Sequence, residues 1–415
     1  MRLCTTLLLG LLTGCATTAT SKPEASPASR TPAETPASAP AGKLDMKALF
    51  ARELPPLSQQ PVRAPEGAFT GEVEATAAPT FQRQEGFLEF SIPLGTGSAM
   101  ECFVYGEPLD AGGALYRIVE MLRQSTHVQW ASVTDVRLIG DSGAVFAEVL
   151  YLVDTPEGKA AGLAKLMVHA SEQVPLVCTH DELGYSESFK RIASGLVGSL
   201  RSAGESQPAP RYAEFHVYRL GGNPVGFEKL VMREVTGGSR MTETETSFLF
   251  PVSNTQWTVR DSVSTELADK EGRLVARDYV RTSNGEVDIQ VALEQVKGRE
   301  YRYEGKHGGK DVSGTFTASE DLATEPGTAR VLREQLLSGK RKELTLHFYS
   351  PSTNPAAPTP QVWRKEAAEG REVTIELGAM KVTATLDAQG MTEKLVTRAG
   401  NQLLVRERVH VSGTP

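Results

Sequence analysis

The stretch Arg240-Met241-Thr242-Glu243-Thr244-Glu245-Thr246-Ser247-Phe248-Leu249-Phe250 decides how the larger part of this chain folds. Thr242, Thr244, Thr246, Phe248 and Phe250 fall on one side of an extended backbone, and Glu243 and Glu245 on the other. A period of two, built from β-branched and aromatic residues, predicts a strand rather than a helix. The same reading extends on both sides. Residues 212–220 and 225–235 are strands around the turn Gly221-Gly222-Asn223-Pro224. Residues 256–267, 274–282, 286–296, 300–305, 344–349, 362–365, 372–377, 381–387, 392–398 and 402–411 continue the pattern. One helical interruption at 327–337 carries Val331, Leu332, Leu336 and Leu337 on a face.

So many antiparallel strands must hide their edges, which calls for a curved sheet or a barrel over residues 212–411. The opening strand, Gly221-Gly222, Pro224-Val225-Gly226 and return strand, with the late turn Asp387-Ala388-Gln389-Gly390-Met391, resemble bacterial envelope proteins of the LolA/LolB type. That resemblance implies a half-open β-barrel with a concave, apolar-lined sheet.

Upstream, residues 66–204 form a first domain, with 205–211 as linker. Phe87-Leu88-Glu89-Phe90-Ser91-Ile92 and Glu101-Cys102-Phe103-Val104-Tyr105 are strands. Ala111, Ala114, Leu115, Ile118, Val119 and Leu122 recur at helical spacing behind Asp110, a candidate N-cap. Strands at 132–138 and 145–153 flank Gly140-Asp141-Ser142-Gly143, and further strands lie at 163–170 and 174–179. A closing helix carries Phe189, Ile192, Ala193, Leu196, Val197 and Leu200 in one stripe, with Ser186 as its expected cap. This order resembles the PsbP-like fold, which implies a small domain used for binding other proteins. The expected class is therefore α+β: an antiparallel α/β sandwich domain followed by a β-rich curved sheet or half-barrel domain.

The chain starts with Arg2, a short apolar run and Leu12-Thr13-Gly14-Cys15. A charged start, a short apolar core and small residues at a cut site are the layout of an export signal. The apolar run is shorter than the roughly 20 residues that a bilayer-spanning helix needs. Leu12-Thr13-Gly14-Cys15 resembles the bacterial lipobox. The resemblance implies that residues 1–14 are removed, that Cys15 receives a diacylglycerol, and that the new amine is often acylated as well. Two or three chains anchor stably, since each buried methylene contributes about 0.8 kcal/mol. Ala16, rather than Asp, after the cysteine leans toward the outer membrane. Residues 15–65 then form a tether rich in Pro, Ala, Ser and Thr, which buries too little apolar area to fold, apart from one short helix near 43–54.

Hydrophobic content of 40% and charged content of 23% are ordinary for globular protein. A formal charge of −7 with scattered acidic residues speaks against a nucleic-acid partner. Of the four cysteines, Cys4 leaves with the signal and Cys15 takes lipid. Cys102 and Cys178 remain in an oxidising compartment and are expected to form a disulfide; two buried thiols are the alternative.

Cys178-Thr179-His180-Asp181-Glu182 is the densest group of reactive side chains. It supports a hydrolase reading with Cys178 or His180, against which stands a strand end carrying half a disulfide. Gly140-Asp141-Ser142-Gly143 and Gly95-Thr96-Gly97 have the composition of turns. The seven histidines are scattered without His-Glu-x-x-His spacing, so no metal site and no cofactor is expected. Phe248, Phe250, Trp257, Tyr279, Tyr301, Tyr303, Phe316, Phe348 and Trp363 belong to the core of the second domain or line a concave ligand surface.

The chain is thus expected to be a lipid-anchored bacterial envelope protein, a non-catalytic binding or scaffold protein. Its partners are the membrane, through the N-terminal lipid, and an envelope protein or an apolar ligand. A carrier for an apolar ligand or lipoprotein in the second domain is the alternative. A non-reducing peptide map of the mature protein should contain a linked Cys102–Cys178 peptide and an N-terminal Cys15 with acyl mass. An alkylated, unlinked Cys178 overturns the first expectation, and an unmodified Cys15 the second.

Overall fold

A computed structural model describes residues 46–156, 158–204, 209–365 and 370–415. The signal, Cys15 and the start of the tether lie outside the described residues. A short helix, Met46–Phe50 (α1), opens the described chain. Strand Ser58–Arg63 (β1) follows and pairs with Phe69–Ala75 (β2), which pairs in turn with the two-residue Arg201–Ser202 (β10). The tether expected over residues 15–65 thus ends in a strand, and Pro61 is accommodated in it because β1 is an edge strand.

A seven-stranded antiparallel sheet comes next, in the order β3-β4-β5-β9-β8-β7-β6. Its strands are Thr80–Gln84, Phe87–Ile92, Met100–Tyr105 (β3–β5), His127–Ile139, Ser142–Thr155, Gly158–His169 and Leu176–Asp181 (β6–β9). Helix Ala111–Ser125 (α2) lies on one face and helix Ser186–Ser199 (α3) on the other. On the α3 side, Phe189, Ile192 and Leu196 pack with Phe69 and Val73 of β2 and Phe90 and Phe146 of the sheet.

The remaining strands form one 14-stranded antiparallel sheet. Eight strands, β11–β18, meander outward in sequence order: Tyr212–Leu220, Asn223–Glu234, Arg240–Ser253, Gln256–Ala268, Leu274–Ser283, Glu286–Lys297, Glu300–His307 and Lys310–Thr317. Helix Glu325–Val331 (α4), continued by a wider turn over Leu332–Leu337, then crosses the gap. Six strands, β19–β24, return from the far edge: Glu343–Phe348, Thr359–Arg364, Glu372–Leu377, Met380–Leu386, Thr392–Ala399 and Gln402–Gly413. The last of these, β24, pairs with the first, β11. The result is β-barrel-like, with α4 against its inner face through Ala329, Leu332 and Leu336.

This architecture corrects the expected α+β class. The chain is mainly β, and residues 66–204 do not make a self-contained α/β sandwich. Strands β11–β14 press Phe215, Phe227, Leu249, Trp257 and Val259 into the same apolar cluster as α2 and β6–β8, so the two sheets share a core. The helices occupy places in faces that strands also cover. Gly143, expected within a turn, belongs to β7 instead. A Cβ there would come 2.5 Å from the Phe227 ring, so its bareness is what seats that ring. Burying a phenylalanine in this way contributes about 1.5–3 kcal/mol.

Both helix starts are capped from far along the chain. Asp110 makes no side-chain cap bond to α2; the Asp261 carboxylate of β14 accepts Gly112 N–H at 3.0 Å and Gly113 N–H at 2.7 Å. Ser186 does not cap α3 either; Glu53 accepts Glu187 N–H at 3.1 Å and Ser188 N–H at 2.6 Å. Burial first, and then nearby Asp110, push the Asp261 carboxyl up to about 6, against the pull of Ser247 and the two amides.

An acid whose folded value is raised binds protons more tightly folded than unfolded. Its contribution is complete below the unfolded value and fades as pH rises through about 6. Asp261→Ala should destabilise the chain by about 1–2 kcal/mol, as loss of an N-cap does. Asp261→Asn keeps one acceptor and should cost less. On going from pH 7.5 to 4.5, the native protein should gain urea resistance relative to Asp261→Asn. A parallel pH response of the two proteins would contradict this assignment.

Candidate functional site

Strand β9 sends alternate side chains to opposite faces of the seven-stranded sheet. Cys178 faces α3 and is bonded to Cys102, its direct cross-strand neighbour, with Cα atoms 4.1 Å apart. The bond leaves no thiol for a nucleophile. His180 shares this face and is 1% exposed. Burial, and then the Lys165 ammonium, push its pKa down to about 3, so its ring is neutral at physiological pH. Lys165 stands opposite His180 in register and is itself pushed down to about 8, chiefly by burial. Its Nζ donates to the backbone carbonyls of Leu163 and Glu182, which spends the ammonium on closing the strand end.

Asp181 points to the other face, and there the arrangement is different. It accepts a hydrogen bond from Tyr151 Oη on β7. Burial raises its pKa, while Tyr151 and Lys165 oppose the rise. This pair forms the polar end of an apolar groove of about 550 Å³ between the C-terminal half of α2 and the β7–β8 hairpin. Ile118, Met121 and Leu122 supply the helix wall, Val153, Ala160, Ala161 and Leu166 the strand wall, and Arg52 and Glu182 also border it. Ile118 and Met121 also wall a second apolar hollow of about 690 Å³ across the helix, beside Tyr105, Pro108 and Leu109. Helix α2 therefore stands between two apolar depressions.

Small residues make the groove. Gly162 lies under the Tyr151 ring, where a Cβ would come within 2.4 Å, so glycine alone lets the ring lie flat and reach Asp181. Sequence reasoning missed this site because its floor and walls come from three separated segments. The available signal was Ala160-Ala161-Gly162, three small residues where an alternating strand normally carries bulk.

The barrel-like unit is largely filled. Helix α4 occupies its inner face, and a charged network sits beneath. Arg406 pairs with Glu228, which also accepts from Tyr218 Oη at 2.8 Å. Arg408 pairs with Glu214 at 3.2 Å and with Asp387 at 2.8 Å. Burial raises Glu228, but Arg406, His216 and Tyr218 outweigh it and hold the carboxyl below its usual range. His216 is 0% exposed and pushed down to about 4 by burial and Arg406. Of the aromatic candidates, Trp257 packs against the first sheet, while Tyr301, Phe316 and Tyr349 stack in a closed cluster. Phe348 and Trp363 line a residual cavity of about 210 Å³.

No protein-family model matches the chain, and no curated protein matches it. Among solved structures, the chain is similar to a β-barrel-like protein of the domain of unknown function DUF1849 from Brucella abortus. That similarity has a TM-score of 0.38 and 11% identity, and covers 49% of this chain and 99% of the other. A DUF1089 family protein from Pseudomonas aeruginosa is similar at a TM-score of 0.26 and 14% identity, covering 46% of this chain and 93% of the other.

Gly162→Ala should push the Tyr151 ring off β8 and break its bond to Asp181. Tyr151→Phe removes the same bond without crowding. Since the Tyr151 hydrogen bond holds the Asp181 carboxyl down against burial, both substitutions should raise its titration further, as followed by the pH dependence of the Asp181 carboxyl carbon resonance. An unmoved titration would show that Gly162 does not hold the ring.

Proposed function

We propose that this protein is a lipid-anchored envelope binding protein, and that the groove beside α2 holds a single acyl chain with a polar head. The observation that carries this reading is the groove itself. Its facing walls are mainly apolar, the Asp181–Tyr151 pair borders one end, and its size suits a small elongated ligand, pockets for which span about 300–1,000 Å³. An apolar depression of this kind on a protein surface is costly unless something covers it.

The rest of the reading follows from the tether. Acylation at Cys15 would hold the protein at the bacterial outer membrane, and residues 16–45 would let the first sheet stand off the surface. The Cys102–Cys178 bond supports an oxidising compartment and a non-catalytic role, since the thiol that a hydrolase at Cys178 would need is consumed. The filled inner face of the barrel-like unit favours placing the apolar ligand in the first sheet rather than in the second domain, where a carrier would hold it.

Titration with cis-parinaric acid, a fluorescent fatty acid, tests the reading. Met121→Glu places a charge on the wall that the two depressions share, and should weaken probe binding by at least about tenfold through loss of apolar contact and burial of the carboxylate. Equal binding by Met121→Glu and the parent would remove the groove as the site.

A further inference from the structure

The 14-stranded sheet does not close on itself, and β18 and β19 are its two ends. The β19 edge is partly used: Leu322, ahead of α4, bridges to His347, and Ala323 N–H donates to the His347 carbonyl at 2.8 Å. The β18 edge is free, since among the described residues no strand pairs with its outer side. A free edge is a template for another strand unless something covers it.

The hydrogen bonds to β17 fix which backbone groups this edge presents. Antiparallel neighbours alternate between bonded and non-bonded pairs. His307 and Lys310 close the two-residue turn Gly308-Gly309, and at the other end Ala318 N–H donates to the Arg299 carbonyl at 2.9 Å. Both contacts fall on even-numbered residues. Lys310, Val312, Gly314 and Phe316 therefore bond to β17, while Asp311, Ser313, Thr315 and Thr317 turn their N–H and C=O groups outward. The side chains of those last four are exposed, and Val312 and Phe316 are half-buried on the inner face.

Charge selects the strand that fits. On the exposed face of β17, Glu300 stands beside Thr317, Arg302 beside Thr315, Glu304 beside Ser313 and Lys306 beside Asp311. A second β18, laid antiparallel with Gly314 opposite Gly314, pairs Ser313 with the second copy's Thr315 and Asp311 with its Thr317. All four outward residues are then engaged. Glu304 reaches toward the second copy's Arg302, and Lys306 toward its Glu300, over short serine and threonine side chains. Arg302 already pairs with Glu294 and is still exposed enough to be shared. A slip by two residues in one direction would set Glu304 against Glu304, and in the other Arg302 against Arg302. On the inner face Val312 meets the second copy's Phe316, which lengthens the apolar row where Phe316 stacks on Tyr301 and Tyr349.

We propose that two copies of this protein join edge to edge through β18, antiparallel and centred on Gly314. The pairing rests neither on the groove beside α2 nor on lipid at Cys15.

Sedimentation velocity of the full-length chain carrying Cys15→Ser, from low to high micromolar concentration, should show a reversible monomer–dimer equilibrium. Ser313→Lys with Thr315→Glu places opposite charges in both central cross-strand pairs and should tighten the dimer by about fivefold. Ser313→Glu with Thr315→Glu places like charges there and should loosen it by at least as much. Both double variants change only exposed side chains. Thr315→Pro deletes an outward N–H while sparing the bonds to β17, and should leave monomer alone. If Thr315→Pro does not fold, the charge variants still decide. A parent that stays monomeric at the highest concentration would overturn the proposal. So would equal dimer strength in the Lys/Glu and Glu/Glu variants, or a folded Thr315→Pro protein that still dimerises.

Discussion

Asp261 holds the two sheets of this molecule together. Its carboxylate leaves strand β14 and caps the start of helix α2, which packs on the other sheet, by accepting from the N–H groups of Gly112 and Gly113. The contact needs Gly112 to be bare on that side. A Cβ on Gly112 would come 2.4 Å from Val259 and 2.7 Å from Asp261 itself. Once the helix start is fixed there, Phe227 reaches Gly143, and Trp257 and Val259 join the cluster under α2. The groove beside the far half of α2 inherits its geometry from this one anchored end.

The second sheet divides its work between its two faces. Alternation in 240–250 placed threonines and phenylalanines on one side and glutamates on the other, and polar commonly means outward. Here the glutamate side meets the first sheet. Glu243 pairs with Arg233 and Glu245 with Lys229, and Glu245 is pushed up to about 7 by burial despite that lysine. The threonine side turns toward the interior, where Thr242 is 1% exposed. Both faces are covered, so both carry charged residues that need partners, and most of those partners come from neighbouring strands of the same sheet.

What could be read from the sequence was local, and what could not was relational. The period of two gave nearly every strand beyond residue 212, and the stripe from Phe189 to Leu200 gave α3. The pairing of Cys102 with Cys178 followed from elimination and compartment. The caps failed for a definite reason: Asp110 and Ser186 have suitable side chains in the right places, but Asp261 and Glu53 reach the same amides from across the fold. The α+β class failed because the pattern of each segment shows which of its faces is apolar but not what covers it. The short strand Lys310–Thr317 carries only Val312 and Phe316 as apolar side chains on its inner parity, with Gly314 between them, which is too faint an alternation to stand out from a polar loop. The groove and the inner cavity were out of reach because no two of their walls adjoin in sequence.

The seam between β11 and β24 sets an order of events. Residues 212–220 pair with 404–413, so the middle of the widest sheet is stitched by strands from opposite ends of the unit. No neighbour of β11 on that side exists until residues 402–413 have been made. The hairpins β11–β14 and the first sheet rest on contacts closer in sequence and can condense earlier. During that interval β11 presents a bare edge, the kind that pairs wrongly with another chain. A protein built this way is most vulnerable to aggregation just before residues 402–413 arrive, and losing them would expose the centre of the sheet rather than trim its margin.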